Sequence, residues 1–474
     1  MPRLVLLLGL CLLATPAHTE ALHDLVIRGG RVIDPASGTD RKLDLAIDGG
    51  AISALAESGL SGARELDGSG LVVAPGFIDL HQHGQHRQAY RLSAQDGVTT
   101  SFEIEVGVTD IPSWYAARSD GQPINYGVGA GHIQARMDVL PDPSASNLPS
   151  GAAAYEQAGD DQRAAIVERV RTALAAGAVA VGMGPEYTPG ADDAELSAVL
   201  STAAAFDASV HVHLPAGVAG LERMLRLARE TGARLHVVHV NSAAGEALPA
   251  YLSALRATRE HGQAVTVEAY PYGASMTRIE AAKFADWQRW PEEKFGRFQW
   301  AATGEWLTRD SFAGYRKQGG IIIYHARSAA LTAAALADPM VMVASDGFID
   351  GDVGHPRASG SFSRVLGRYV REDGVLDLMP ALRKMTIEPA RVLERRVPAM
   401  ARKGRLCVGC DADLVLFDPD AVRDRATFDA PGQPSAGIAF VLVDGQLVVS
   451  DGELVPDALP GRPVRAPAGG TADE

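Results

Sequence analysis

The chain has 474 residues, of which 46% are hydrophobic and 22% charged, as in globular proteins that bury a sizeable core. This length predicts one large domain accompanied by a smaller one. The formal net charge is −14, from 44 basic and 58 acidic side chains, and no basic run occurs. Such a charge argues against the basic footprint of a nucleic-acid-binding protein and favours a protein that acts on small molecules.

The chain begins with a short basic segment and an apolar run, and small residues follow. This pattern predicts a secretory signal peptide over residues 1–20. No other segment of the sequence is long and apolar enough to cross a membrane. We therefore expect an exported protein, periplasmic or secreted, without a membrane anchor. The sequence leaves the oligomeric state open, and a homo-oligomer is one state that it allows.

Short segments of alternating apolar and polar residues, broken at glycines, predict hairpin strands at both ends of the chain. They occupy residues 21–72 and 399–457, and we expect them to share one small β-sandwich domain. Residues 458–474 are rich in Pro, Gly and Ala, which predicts a disordered tail. Export permits a disulfide between Cys407 and Cys410, whereas a lone Cys-x-x-Cys pair is weak evidence for zinc or redox chemistry.

Short apolar runs alternate with loops and amphipathic stretches over residues 73–398. This alternation predicts parallel strands connected by crossover helices. Eight strand candidates predict a closed (β/α)₈ barrel, at residues 77–83, 98–106, 125–132, 178–184, 208–214, 234–240, 264–270 and 340–346. The regular spacing fails over residues 276–320, where four tryptophans cluster. This insertion is either a lid over the barrel or a decoration with its own small core.

Four histidines stand at the ends of predicted barrel strands, on the face where barrel enzymes have their active sites. His81 and His83 end the first strand two residues apart, so both rings point to the same side. His213 ends the fifth strand and His239 ends the sixth. Neutral imidazole suits zinc, and inward-facing histidines are costly unless something binds them. We therefore expect all four to be metal ligands.

Three carboxylates complete the expected set. Asp346 follows the last strand, where it can bind the metal and act as the general base toward the attacking water. Glu103 and Glu105 share one face of the second strand, where inward carboxylates must be paired or metal-bound. We favour Glu105 as a bridging ligand because it lies nearer the strand's C-terminal end, and Glu103 is the alternative or a support behind it. A carboxylated lysine cannot bridge, because no lysine occurs between Lys42 and Lys283.

Over residues 24–455 the sequence resembles the amidohydrolase superfamily, and within it the N-acyl-D-amino-acid deacylases, or D-aminoacylases. The matching motifs lie at residues 76–83, 97–100, 177–190, 270–272, 345–357 and 364–369. The resemblance implies a hydrolase with one or two zinc ions that removes the acyl group from a D-amino acid. It also implies that Arg357 and Tyr270 hold the α-carboxylate of the substrate, a task that suits the planar guanidinium fork. His132 and Tyr187 are further candidates for shaping the pocket, although packing roles would explain them equally well.

The sequence departs from these deacylases at three positions. Val106 stands where a bridging cysteine is usual, so the neighbouring glutamates must substitute for it. Asn241 stands where a lysine is common, so this substrate-facing position lacks a cation. Met276 stands where a serine is expected, although Thr277 is adjacent. These departures affect the expected specificity more than the metal chemistry.

We therefore expect attack on an amide carbonyl by a metal-bound hydroxide, with Asp346 taking the proton and passing it to the leaving nitrogen. A cyclic amide, lactone or small dipeptide is the alternative substrate, which the neutral Asn241 favours. A non-catalytic periplasmic binding protein with a degenerate metal site is the alternative from another class. Assays of N-acyl-D-amino acids beside cyclic amides separate the first two, and metal analysis separates the third.

Overall fold

The computed structural model describes residues 22–469, so the predicted signal peptide lies outside the described residues. The strands are β1 (His23–Asp34), β2 (Thr39–Asp48), β3 (Ala51–Ala56), β4 (Gly62–Asp67), β5 (Val72–Pro75), β6 (Phe77–Asp79), β7 (Val98–Val108), β8 (Asn125–Gly131), β9 (Val181–Met183), β10 (Ser209–Val212), β11 (Arg234–Val237), β12 (Val265–Ala269), β13 (Ala274–Arg278), β14 (Phe298–Trp300), β15 (Ile321–His325), β16 (Val341–Val343), β17 (Ile349–Asp350), β18 (Val353–Gly354), β19 (Leu414–Phe417), β20 (Ile438–Val443), β21 (Gln446–Ser450) and β22 (Glu453–Leu454).

The helices are α1 (Arg87–Gln95), α2 (Ile111–Ala116), α3 (His132–Val139), α4 (Ala152–Tyr155), α5 (Asp160–Ala175), α6 (Asp193–Ala205), α7 (Val218–Thr231), α8 (Val240–Ala244), α9 (Leu248–Glu260), α10 (Glu292–Phe295), α11 (Arg309–Gln318), α12 (Ala329–Ala337), α13 (Arg357–Arg364), α14 (Leu378–Met385) and α15 (Ile387–Leu393). Within the described range, none of them combines the length and the apolar character that a membrane span requires.

Eight parallel strands form the barrel, and each overlaps one of the eight predicted candidates. Their order is β6, β7, β8, β9, β10, β11, β12 and β16, which confirms the predicted architecture. The first and last strands are joined by loop hydrogen bonds beyond their ends. Asp346 N donates to His81 O at 2.7 Å, and His83 N donates to Gly347 O at 2.8 Å. The segments that close the barrel are therefore the same segments that carry three candidate ligands.

The two chain ends share one nine-stranded mixed sheet, as predicted. Its order is β22, β21, β20, β19, β5, β1, β2 and β3, with β4 paired to β1. Alternating Leu, Ile and Val side chains give this sheet a core of its own. Cys407 and Cys410 form a disulfide, and Cys410 O accepts a hydrogen bond from Ile52 N at 2.9 Å. The disulfide turn is thus attached to β3.

The last described residues pack against the barrel, although their composition predicts disorder. Val464 N donates to Tyr126 O and Gly461 N donates to Gln122 O, both at 2.8 Å. Val464 and Ala466 are buried. Over residues 458–469 the structure differs from the predicted disorder, because two buried apolar side chains and paired backbone groups offset the ordering entropy.

The insertion after β12 forms a small antiparallel sheet of β13, β15 and β14. Its aromatic core has members from each part of the insertion, namely Ile279, Phe284, Trp290, Phe295, Phe298, Trp300, Leu307, Phe312 and Ile322. Residues of β13 also line the cavity at the barrel mouth. The insertion therefore has a small core of its own and also lines part of the mouth.

Candidate active site

Two groups of potential metal ligands lie side by side at the C-terminal ends of the barrel strands. The first contains His81, His83 and Asp346, and the second contains Glu105, His213 and His239. In each group the donor atoms lie within 4.8 Å of one another. All six are among the residues that the sequence predicts as ligands, and Glu103, the alternative to Glu105, lies outside both groups.

Glu105 stands between the two groups. Its Oε1 lies 2.5 Å from His213 Nδ1 and 3.0 Å from His239 Nε2, whereas its Oε2 lies 3.3 Å from His81 Nε2 and 3.2 Å from His83 Nε2. One oxygen therefore faces each group. Burial raises the pKa of this carboxyl, but His213 and His81 outweigh burial and hold the pKa well below its usual range. Glu105 is thus an anion in the position that a bridging ligand needs.

The backbone of β9 allows Glu105 to reach this position. Gly182 lies so close to β7 that a Cβ there would stand 2.0 Å from Ile104 O and 2.3 Å from Glu105 O. Only glycine permits this approach. Two candidate ligands also have a left-handed backbone, with φ of 33° at His239 and 50° at Asp346. Strain of this kind costs about 1–3 kcal/mol and is concentrated at functional sites.

Three of the four histidines have their second ring nitrogen against a carboxylate. His81 Nδ1 lies 2.6 Å from Glu268, and His83 Nδ1 lies 3.1 Å from both oxygens of Glu103. His213 Nε2 lies 2.7 Å from Glu186. Such carboxylates fix the ring orientation of metal-binding histidines. Glu103 therefore lies behind His83, on the side of the ring that faces away from Glu105.

Sequence reasoning missed Glu186 and Glu268. Glu268 lies on β12, two residues before Tyr270, which was expected to face the substrate. Strand parity therefore indicates that Glu268 also points into the barrel. Glu186 lies in the loop after β9, where no strand period applies. Its partner Lys283 belongs to the insertion, with Nζ 2.8 Å from Glu186 Oε2. A contact between such distant segments has no sequence signal.

Asp346 pairs with Arg357. The Arg357 Nη2 lies 2.9 Å from Asp346 Oδ1, and the guanidinium Nε and Nη1 are buried without a partner in the described structure. Burial raises the pKa of Asp346, but Arg357 and then His81 outweigh it and lower the pKa below its usual range. Asp346 is therefore ionised and able to accept a proton, while Arg357 has two N–H groups left for a ligand.

A cavity opens above these groups at the barrel mouth. Its wall contains Asp346, Arg357 and Tyr187 among the predicted residues, together with Ser242, Met276, Thr277, Arg278, Lys283 and Phe348. Tyr187 Oη lies 3.1 Å from Thr277 Oγ1. Burial, and then the carboxylates of Glu105 and Glu186, raise the pKa of Tyr187 well above its usual value. Its hydroxyl therefore stays protonated and can donate a hydrogen bond.

Three predicted substrate residues do not reach the cavity wall. Tyr270 is buried behind Arg357, whose guanidinium carbon lies 4.5 Å from the ring centroid. Asn241 is fully buried, and its amide donates to Tyr270 O at 2.9 Å. His132 is fully buried against Glu195 at 2.6 Å. The side chains of Asn241 and His132 therefore turn into the packed protein, which for His132 agrees with the packing role that the sequence left open.

The donor set fits zinc. Imidazole nitrogens and carboxylate oxygens are its usual ligands, and two groups that share one carboxylate could hold one or two ions. The buried His239 Nδ1 has no partner among the described residues, and His239 Nε2 faces Glu105. Four histidines and two carboxylates packed this closely are costly without a cation among them.

Comparisons with known proteins agree with this geometry. The model of the amidohydrolase family matches residues 72–455. The N-acyl-D-glutamate deacylase of Alcaligenes xylosoxydans xylosoxydans is 33% identical, and the alignment covers 94% of this chain and 97% of that enzyme. A crystal structure of N-acyl-D-glutamate deacylase from Bordetella bronchiseptica, complexed with zinc and a phosphonate mimic of the tetrahedral intermediate, has a TM-score of 0.81 and 31% identity, covering 94% of this chain and all of that one.

A structure of D-aminoacylase, studied for its binuclear metal centre, matches with a TM-score of 0.78 and 26% identity over 93% of this chain and 99% of that one. The family resemblance predicted from the motifs is thereby confirmed. The chain belongs to the amidohydrolase family.

Proposed function

We propose that this amidohydrolase is a zinc enzyme that hydrolyses the amide bond of N-acyl-D-amino acids. The observation that carries the proposal is the buried Arg357, which pairs with Asp346 at the cavity wall and whose Nε and Nη1 have no partner among the described residues. An N-acyl amino acid presents an amide and a carboxylate a few bonds apart. Arg357 can bind such a carboxylate while the amide lies near Asp346. The deacylase relatives support the same substrate class.

We further propose His81, His83, Glu105, His213, His239 and Asp346 as the metal ligands, with Glu105 as the bridge. When bound, zinc polarises the amide carbonyl and lowers the pKa of a water towards about 7. Asp346 accepts the proton of the attacking water and donates it to the leaving nitrogen. Arg357 lowers the pKa of Asp346 and so keeps it ionised before the reaction. Tyr187, which stays protonated, donates a hydrogen bond to a substrate oxygen.

A cyclic amide is the second candidate substrate. Asn241, the position at which related deacylases commonly have a lysine, is neutral and turned toward Tyr270 O. A substrate without a free carboxylate would not need a cation there. Under this alternative Arg357 serves only to orient Asp346.

Substrate assays on the zinc-loaded enzyme separate the two candidates. We expect hydrolysis of N-acetyl-D-amino acids, with little turnover of the L-enantiomers or of hydantoins. Asp346→Asn should lower kcat by about 10²- to 10⁴-fold, which is the usual contribution of a general base. Absence of turnover for every N-acyl-D-amino acid, together with hydrolysis of hydantoins, would establish the second candidate instead.

We also propose that the protein is exported. The N-terminal sequence pattern supports this, and an oxidising compartment would sustain the Cys407–Cys410 disulfide. Fractionation of cells that express the full chain, followed by N-terminal sequencing of the mature protein, tests the proposal. Recovery of the uncleaved chain in the cytoplasm would contradict it.

A further inference from the structure

Arg327 stands behind the cavity wall and has no carboxylate partner among the residues that the structure describes. It lies two residues after the end of β15, and within residues 22–469 its guanidinium donates side-chain hydrogen bonds only to hydroxyl groups. Nη1 donates to Ser242 Oγ at 3.2 Å, and Nη2 donates to Tyr270 Oη. Its Nε is buried without a partner in the described structure. The half-buried guanidinium of Arg327 therefore carries a positive charge that no carboxylate among the described residues compensates.

The cations on the cavity wall differ from Arg327 in this respect. Lys283 pairs with Glu186 at 2.8 Å, and Arg278 pairs with Glu280 at the same distance. Arg357 pairs with Asp346. Taking a cation out of water is costly unless an anion compensates it. The partner that would compensate Arg327 can therefore come from a ligand in the cavity.

Ser242 connects Arg327 to that ligand. It lies on the cavity wall, and its Oγ accepts the hydrogen bond from Arg327. The hydroxyl hydrogen of Ser242 is therefore available to a different acceptor. The guanidinium behind it favours an acceptor with negative charge. Tyr270 brings the two arginines together, since its ring centroid lies 4.5 Å from the guanidinium carbon of Arg357 and 5.3 Å from that of Arg327.

We propose that Ser242 and Arg327 form, with Arg357, the subsite for the α-carboxylate of the substrate. Ser242 donates its hydroxyl hydrogen to one carboxylate oxygen, and Arg357 donates N–H groups to the other. Arg327 acts through Ser242 as a positioning residue and supplies the charge that Asn241 does not. This inference rests on the proposed deacylase function and names the residues that select an acid over a neutral analogue.

The test compares N-acetyl-D-glutamate with its α-amide on the zinc-loaded enzyme. Arg327→Met should raise KM for the acid by about tenfold, the effect of losing one charged hydrogen-bond partner. We expect kcat for the acid and KM for the α-amide to change less than twofold. Arg327→Lys should restore part of the affinity for the acid. Arg289→Met removes one positive charge from the exposed surface of the insertion and serves as the matched control.

Two measurements keep the inference separate from the proposed function. If the wild-type enzyme turns over neither N-acetyl-D-glutamate nor its α-amide, the proposed deacylase function is wrong. Calorimetry then measures the binding of both compounds to the zinc-loaded wild type and to Arg327→Met, and this comparison still tests the subsite. Equal weakening of acid and amide binding in Arg327→Met, or no weakening of either, would overturn the subsite. An unfolding midpoint within about 2 °C of wild type confirms that the variant is folded.

Discussion

At the scale of single residues, Glu103 and Glu105 have identical side chains on the same face of β7 but contact different histidines. Glu105 contacts histidines of both groups, whereas Glu103 contacts His83 alone, through the nitrogen that faces away from Glu105. The two-residue step along β7 moves the carboxylate from the centre of the site to its edge. The candidate bridging ligand Glu105 and the carboxylate of Glu103, which contacts His83 at the edge of the site, thus arise from one alternating sequence.

Glu105→Gln and Glu103→Gln test this difference. Gln preserves the size of the side chain but removes the charge that the two histidine groups share. We expect Glu105→Gln to lose at least one bound zinc per chain after dialysis. Glu103→Gln should retain zinc with about 10- to 100-fold weaker affinity, as for supporting carboxylates in general. Metal content by mass spectrometry and zinc competition with a chelator give both values. Equal zinc loss in the two variants would contradict the assignment.

The sequence predicts the six candidate ligands because each lies at or near the end of a strand, where parity decides the direction of a side chain. The side chains of Asn241 and His132 do not follow such a strand period. Both lie at or near the start of a helix, where the chain has already turned away from the cavity. Side-chain direction at such a transition depends on tertiary packing, which a sequence period does not encode.

At the scale of elements, the insertion is connected to the barrel by an ion pair at the active site. Lys283 of the insertion contacts Glu186, which in turn contacts His213. Both partners of the ion pair are largely buried, with 23% and 17% side-chain exposure, so the pair is less screened than a surface pair. The carboxylate of Glu186 therefore contacts both Lys283 of the insertion and the candidate ligand His213.

Lys283→Met and Glu186→Gln separate the attachment of the insertion from the orientation of His213. Lys283→Met removes the connection to the insertion but leaves the contact between Glu186 and His213. We expect faster amide hydrogen exchange in β13 and the following turn, with zinc content unchanged. Glu186→Gln should loosen the insertion and also weaken zinc affinity by about 10- to 100-fold. Unchanged exchange in both variants would show that the aromatic core alone holds the insertion.

A buried lysine makes the attachment of α14 to the last barrel strand depend on pH. Lys384 donates to Asp338 O and to Val341 O, at the start of β16. Burial lowers its pKa from 10.5 to about 8, against the opposing effect of Glu388. Between pH 8 and 10.5 the unfolded chain therefore binds more protons at this lysine than the folded chain does. Its contribution to stability rises with pH across this window.

Lys384→Met removes this titration. The unfolding midpoint of the wild type, relative to the variant, should increase between pH 8 and pH 10. One pKa unit corresponds to about 1.4 kcal/mol, so the full change amounts to a few kcal/mol. Parallel thermal melts in one buffer series measure the difference. A constant difference across this range would show that Lys384 keeps its proton in the folded protein.

At the scale of the whole molecule, the eight strand positions and the shared terminal sheet follow from periodicity alone, because both architectures bury regular apolar patterns. Periodicity does not predict how the barrel closes, since loop hydrogen bonds beyond β6 and β16 complete it. It also misses the packing of the last described segment. This segment pairs with the start of β8 and buries Val464 and Ala466. The overall composition of the segment does not show these two buried side chains.

Val464→Asp tests whether this last segment contributes to stability. Val464 is buried beside Phe102 and Ile104, and its carbonyl accepts a hydrogen bond from Tyr115 Oη at 2.7 Å. A carboxylate there would be buried without a partner, so we expect a loss of more than about 3 kcal/mol of unfolding free energy. The matched control, Arg465→Asp, introduces the same residue at the exposed neighbouring position. It loses only the stacking of Arg465 over the Tyr115 ring, about 1 kcal/mol or less. Equal denaturation midpoints for the two variants would mean that the segment is disordered in solution, as its composition predicts.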